Sequence, residues 1–193
     1  MSTATMRKDA TSNDLDDAAL LAKVRDGDLG ALGGLFDRHE GAVRRIVERL
    51  GVAPGDVDDL VQTTFLAVPR AAERYDGRPD ARPWLVGLAV REVRGHRRSL
   101  ARWTRRLTAW AYEPKVDVPT PEREATVSRD VARTAEALAR LSEKKRDVLV
   151  LVTLEGLSGE EVAAALDIPV ATVWTRLHHA RKEMLAHVFE EES

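Results

Sequence analysis

The chain has 193 residues, enough for one domain or two small ones, and 44% of them are hydrophobic, enough to fill packed cores. It contains no cysteine, which removes disulfides and thiolate metal sites and fits a reducing compartment. With 30 Lys and Arg against 32 Asp and Glu the formal net charge is −2, which argues against a protein that coats nucleic acid by global charge.

Charge is placed unevenly instead. Asp14, Asp16, Asp17, Asp56, Asp58 and Asp59 make acidic starts, and Glu190 to Glu192 an acidic end. Between them, Arg91 to Arg106 holds seven arginines against one acid, Glu92. A local field of this kind steers a polyanion even when the whole chain is near neutral. No apolar run is long enough for a membrane span, so no direct membrane insertion is expected. Met1 to Asp17 lacks the basic start and apolar core of a secretion signal, so the expected location is the cytoplasm.

In chain order, residues 1–13 read as a polar, frayed end. Leu20, Leu21 and Val24 repeat at helical spacing, and Asp26-Gly27-Asp28 breaks that helix. A second helix is predicted over Leu29–Leu50, with Gly30, Gly33 and Gly34 lowering its propensity. Pro54 opens a third, in which Val57, Leu60, Val61 and Phe65 form one stripe and Leu66 and Val68 continue it. Asp56 and Asp58 suit its start through the helix dipole. Pro69 predicts a kink or an early end, because it lacks an amide donor. Tyr75–Arg82 reads as a turn, and Pro83 suits the first turn of a fourth helix. There Trp84, Leu85, Leu88 and Ala89 face a core, while Arg91, Arg94 and Arg98 make a basic face.

Pro114, Pro119 and Pro121 mark Leu107–Glu124 as the best linker candidate. A helix is predicted over Val127–Leu141, and another, capped by Ser142, to about Leu154. Val148–Leu154 is apolar and β-prone, but its length and flanks favour a buried helical segment. The expected fold is all-α: two small helical domains joined by a linker, the second ending in a helix-turn-helix.

That last motif occupies Leu157–Met184. Ser158 and Glu161 match a capping box, and Val162, Ala163 and Leu166 form the inner face of a short helix. Asp167 is the turn residue, Pro169 starts the next helix, and Val173, Leu177, Ala180 and Met184 return inward. Thr172, Thr175, Arg176, His179 and Lys182 then point outward. Early residues of a helix in the major groove meet base edges: threonine offers polar or methyl contacts and arginine pairs bidentately with guanine. Arg181 and Lys182 suit phosphates. Trp174 either covers the helix junction or meets a base or partner. An ordinary helical hairpin with a basic solvent face would show the same spacing.

With these residues in place, the chain resembles the bacterial extracytoplasmic-function (ECF) sigma factors, initiation factors of RNA polymerase. Leu157-Ser158, Glu161-Val162-Ala163, Leu166, Ile168-Pro169, Thr172-Val173, Arg176-Leu177 and Ala180-Arg181 follow the family's region 4. The resemblance implies that this part reads the minus-35 promoter element, with Thr172, Thr175 and Arg176 as base readers and His179, Arg181 and Lys182 beside them. Asp59-Leu60-Val61-Gln62 with Thr64-Phe65 resembles the helix that docks on the polymerase clamp, which implies a clamp set of Asp59, Gln62, Thr63 and Leu66. Pro83-Trp84-Leu85, Leu88-Ala89 and His96-Arg97-Arg98 resemble the segment that opens and reads the minus-10 element. By position, Asp76–Ala81 is then the loop that captures an extruded base. The implied minus-10 set is Tyr75, Asp76, Arg78, Trp84, Arg91, Arg94 and Arg98, acting by stacking and charge.

The resemblance divides the chain into a region 2-like domain at 14–106, a linker at 107–126 and a region 4-like domain at 127–188. It implies core RNA polymerase and promoter DNA as partners, and an anti-sigma factor as a controlling one. The chain departs from the family pattern at Thr63, where an acid is usual, and at Ala81, where an aromatic is frequent. It departs again at Gly87 and Val90, where basic residues are common; Arg91 and Arg94 supply charge from neighbouring positions.

Two competing readings are a DNA-binding regulator without sigma activity and a degenerate sigma-like scaffold. Trp103 and Trp110, among Arg102, Arg105 and Arg106, suit stacking on nucleic acid, docking on polymerase or sealing the domains equally well. Asp56, Asp58 and Asp59 suit a helix start better than a metal. His39, His96, His178, His179 and His187 make no convincing ligand set, the adjacent pair His178-His179 pointing in different directions. No phosphate loop and no Ser-His-acid pattern is present. No metal, no cofactor and no catalytic chemistry are expected.

Overall fold

The computed structural model describes residues 15–108 and 129–189. The eight α-helices there are α1 (Asp17–Arg25), α2 (Leu29–Arg49), α3 (Pro54–Ala71), α4 (Arg82–Thr108), α5 (Arg129–Arg140), α6 (Glu143–Leu149), α7 (Gly159–Leu166) and α8 (Val170–Phe189). No strand occurs among the described residues. Most of the expected linker, residues 109–126, lies outside them, as do the residue 1–13 end, Trp110 and the side chains of Trp103, Arg105 and Arg106.

Local chemistry sets the helix ends. The Asp16 carboxylate accepts the Ala19 amide at 2.8 Å and caps α1. Gly27, at φ 91°, turns the chain, and Asp28 caps α2 by accepting from Gly30 and Ala31. Pro54 stands at the start of α3. Pro69 lies inside α3, which ends two residues later and tightens into a 3₁₀ turn at Ala72–Arg74. The expected early end is what forms.

Helices α1 to α4 make the first bundle. Leu20, Leu35, Ile46 and Leu85 are fully buried in it, with Val43, Val47 and Val68 between them. Helices α5 to α8 make the second. Its β-prone stretch is helical as expected, but the Val150–Leu154 part opens into a π-helical turn. Val150 and Leu151 of that turn are buried beside Val148 of α6, and the chain turns away after it at Gly156, φ 69°.

Helix α7 starts with the full capping box: the Glu161 amide donates to Ser158 Oγ at 3.2 Å, and the Ser158 amide to Glu161 Oε2 at 2.7 Å. It ends at Asp167, in the left-handed region at φ 53°, and Pro169 leads into α8. The two bundles are not beads on a string. Their buried residues form one contiguous cluster, with α7 packed along α4.

Candidate nucleic-acid and polymerase interface

The helix-turn-helix presents α8 as its outer helix. Val173, Leu177 and Ala180 are buried, and Met184 is half-buried against the same core. Thr175, His179, Arg181 and Lys182 are exposed, and Thr172 and Arg176 half-buried, so all six candidate minus-35 residues lie away from the core stripe. Thr175 is not wholly free to read: its hydroxyl donates to the Ala171 carbonyl at 2.9 Å, which leaves its methyl and lone pairs outward. Trp174 covers the helix junction. A Cβ on Gly159 would come within 2.6 Å of the indole, so the glycine makes room for it, while half of the tryptophan stays exposed. The His178 and His179 rings do not diverge. They meet edge-on at 5.6 Å, because adjacent side chains on the open side of α8 are free to swing together. Arg181 also borders an apolar groove of Leu138, Leu149, Leu154, Met184 and Leu185.

On the first bundle, Asp59, Gln62, Thr63 and Leu66 are all exposed along one side of α3. Gln62 and Leu66 border an apolar groove formed with Leu29, Leu32, Phe36 and Phe65. Phe36 and Phe65 meet edge-to-face at 4.9 Å and give it a rigid floor. Leu29 and Leu66 remain 77% and 69% exposed, a cost in water that a protein partner would remove. The neighbouring acids are used locally: Asp58 pairs with Arg44 at 2.6 Å, and Asp56 lies 3.3 Å from His96. No group of three or more His, Cys, Asp or Glu able to hold a metal occurs among the described residues.

The loop before α4 is ordered by its own contacts. The Tyr75 ring meets Trp84 edge-on at 5.1 Å, and its hydroxyl donates to the Arg78 carbonyl at 2.6 Å. Burial, and then the charges of Asp76, Asp17 and Asp80, push the Tyr75 hydroxyl up to about 12, so it stays a neutral donor. Arg78 pairs with Asp76 at 2.7 Å across Gly77, φ 79°. Asp80 accepts the Arg82 amide at 2.8 Å and starts α4. Tyr75, Asp76, Arg78, Asp80 and Trp84 line one cleft, whose far wall is Glu161, Ala164 and Ala165 of α7. Arg91 and Arg98 project into solvent, but Arg94 does not: its guanidinium pairs with Asp147 of α6 at 2.5 Å.

Three buried acids went unassigned in the sequence reading. Asp17, 3% exposed, takes the Ala81 amide at 2.8 Å, Arg38 at 2.6 Å and the His39 ring at 2.7 Å. It thereby ties α1, α2 and the end of the loop together. Burial raises its pKa, but the Ala81 amide, Arg38 and His39 outweigh burial and hold the carboxyl below its ordinary value. Ala81 is fully buried. Asp147 is 1% exposed; burial pushes its carboxyl above the ordinary value, and Arg94 offsets that in part. Glu155 is held by Arg49 and by Arg82, the latter at 3.1 Å. An acidic start was visible at Asp17, but partners 21 to 64 residues away were not.

The two helical units carry the surfaces of a multi-part nucleic-acid and protein binder. The Sigma-70 region 2 family matches residues 35–104, and the Sigma-70 region 4 family matches residues 132–184. The RNA polymerase sigma factor NccH of Alcaligenes xylosoxydans xylosoxydans is 34% identical over 175 residues, covering 88% of this chain and 93% of that protein. The ECF RNA polymerase sigma factor SigC of Mycobacterium tuberculosis is 32% identical over 179 residues, covering 92% and 94%. Among solved structures, that of CnrH in complex with the cytosolic domain of CnrY matches with a TM-score of 0.64 and 29% identity, covering 92% of this chain and 99% of that one. The chain belongs to the ECF family of bacterial sigma factors. It is a promoter-directing, polymerase-binding transcription factor and not an enzyme.

Proposed function

We propose that α3 docks on the polymerase clamp through Asp59, Gln62, Thr63 and Leu66. The α4 unit with its loop takes the minus-10 strand, and α8 reads the minus-35 duplex. The observation that carries this is spatial sorting: each set occupies its own face, apolar groove and acid on α3, aromatic cleft and arginines at α4, polar and basic residues on α8. Tyr75 and Trp84 supply π-faces for an unstacked base, and Arg91 and Arg98 supply charge for the backbone. Arg176 supplies a fork for guanine, and Arg181 and Lys182 hold phosphates. The subunit makes no bond; its binding energy organises polymerase and opened DNA.

The domain limits that go with this reading are 14–106 and 127–188, with the linker between. The compact form suits control by an anti-sigma factor, since the related CnrH structure is a complex with the cytosolic domain of CnrY. No helix among the described residues is long and apolar enough to cross a membrane, and the cytoplasm is the location that polymerase binding requires. The test is open-complex formation by purified chain and core polymerase on a genomic promoter library, read by strand opening. Opening that depends on the chain is expected; core binding without opening would overturn the minus-10 role. Asp59→Ala should weaken core association several-fold, and an unchanged affinity would remove Asp59 from the clamp set.

A further inference from the structure

Asp17 holds a buried charge that the start of α1 does not require. The cap of α1 is already made by Asp16, which is exposed and accepts the Ala19 amide. Asp17, the next residue, is buried. Taking a carboxylate out of water is costly, and apolar side chains of like volume often fill such a site with no loss of stability. The donors around Asp17 show what the charge arranges. Arg38 of α2 donates to Oδ1 at 2.6 Å, and also to the Leu15 carbonyl at 2.8 Å. His39, also of α2, lies 2.7 Å from Oδ2; an ionised carboxylate only accepts, so the imidazole Nε2 donates. The third donor is the Ala81 amide, on Oδ2 at 2.8 Å. Two side chains of α2 thus orient a carboxylate of α1 toward one backbone amide.

Ala81 is the last residue of the loop assigned to capture a base. Its amide is held from the α1 side, and its carbonyl accepts the Leu85 amide of α4 at 2.9 Å, so this residue is pinned on both sides. The other bonds of the loop are local. The Tyr75 amide donates to the Ala72 carbonyl at 3.1 Å, the Tyr75 hydroxyl reaches Arg78, Arg78 pairs with Asp76, and Asp80 accepts from Arg82. Such bonds set the shape of the loop but not where it sits on the bundle. Among the described residues, Asp17 is the only hydrogen-bond or ion-pair partner of residues 76–81 that lies outside residues 72–85.

We infer that Asp17 is a positioning residue for base capture: aimed by Arg38 and His39, it fixes the Ala81 amide, and with it the placement of the loop beside Tyr75 and Trp84. A captured base gains most when the loop and the two rings already stand at fixed distances, because ordering them at the moment of capture costs conformational entropy. Without the Asp17 acceptor the loop keeps its local turn and loses its placement. The inference rests on the proposed minus-10 role of the loop.

The test is strand opening by core polymerase with the full chain, on a promoter taken from the genomic library. An abasic site replaces each non-template base of the minus-10 element in turn. In the parent one position should stand out, with opening reduced about 10-fold, the scale of one lost base–aromatic stack. Asp17→Ala should open the intact promoter about 10-fold less well, and the abasic site should then cost it less than about 2-fold. Ile46→Ala is the control. It empties the same core about two turns along α2 from His39, and Ile46 takes part in none of the hub bonds. Compared at equal folded fraction, it should keep the parent's abasic response. A second variant replaces the Asp80–Ala81 amide by an ester. It removes only the Ala81 N–H and should behave as Asp17→Ala does; if Asp17→Ala loses its fold, the ester decides alone.

Affinity for core polymerase and for minus-35 duplex should stay unchanged in every variant, since neither face includes Asp17. Full abasic sensitivity in either hub variant overturns the positioning role. So does a loss in Ile46→Ala as large as in Asp17→Ala, which would make Asp17 a stability residue only. A parent equally indifferent to an abasic site at every position overturns base capture by the loop itself.

Discussion

The two bundles bury their charges in opposite ways. In the first, Asp17 is satisfied from within by Arg38, His39 and the Ala81 amide, so its polar centre belongs to its own fold. In the second, Asp147 and Glu155 are paired by arginines of the first. An internal hub fixes a shape. A charge completed by a neighbour fixes an arrangement between shapes. Region 2 thus completes its own buried charge, and region 4 has its buried acids completed by region 2.

The sharpest break in this comparison is in the core of region 2. Leu35 is fully buried, and Leu35→Ala should lower unfolding free energy by about 3 kcal/mol, read by urea denaturation. Region 4 should lose its buried ion-pair partners in the same transition.

Asp17→Asn should cost about 2 kcal/mol, because a charged acceptor of several buried hydrogen bonds becomes a neutral one. The sign with pH follows from its lowered pKa. The stabilisation by Asp17 is full above the ordinary carboxylate value of 3.8, and is lost as pH falls through the lower folded value. The gap between parent and variant should therefore be widest at neutral pH and close in acid. A gap that does not change with pH would show that the Asp17 charge contributes nothing.

Arg176→Ala should reduce discrimination between cognate and mutated minus-35 elements by about 10-fold, read by competition binding. Equal loss on all sequences would make Arg176 a phosphate contact. The smallest effect is expected at Ser158→Ala, about 1 kcal/mol from the capping box, confined to region 4 and visible in its thermal transition.

Much of this was legible in the chain. Helix punctuation was local, so the breaks at Gly27, Pro54 and Ser158 and the inward stripe Val173, Leu177, Ala180 could be placed from spacing and capping chemistry. The faces of the candidate sites followed from the same periodicity. What could not be read was anything that needed two distant segments at once. Arg94 looked like part of a free basic face because Asp147 is 53 residues away. Gly87 looked like a missing charge because Ala165, whose carbonyl oxygen would lie 2.6 Å from a Cβ there, is on another helix. Trp174 packs over Gly159, which local spacing could not show, while half of it stays exposed, and the His178 and His179 rings meet where helical geometry alone suggested divergence.

The most direct measurement is strand opening on core polymerase across the abasic minus-10 series, made with the parent chain and Asp17→Ala side by side. Opening that depends on the chain, with a loss at one position in the parent that vanishes in Asp17→Ala, is the predicted course. Equal sensitivity in both would contradict it, because the loop would then hold its base without the Asp17 hub.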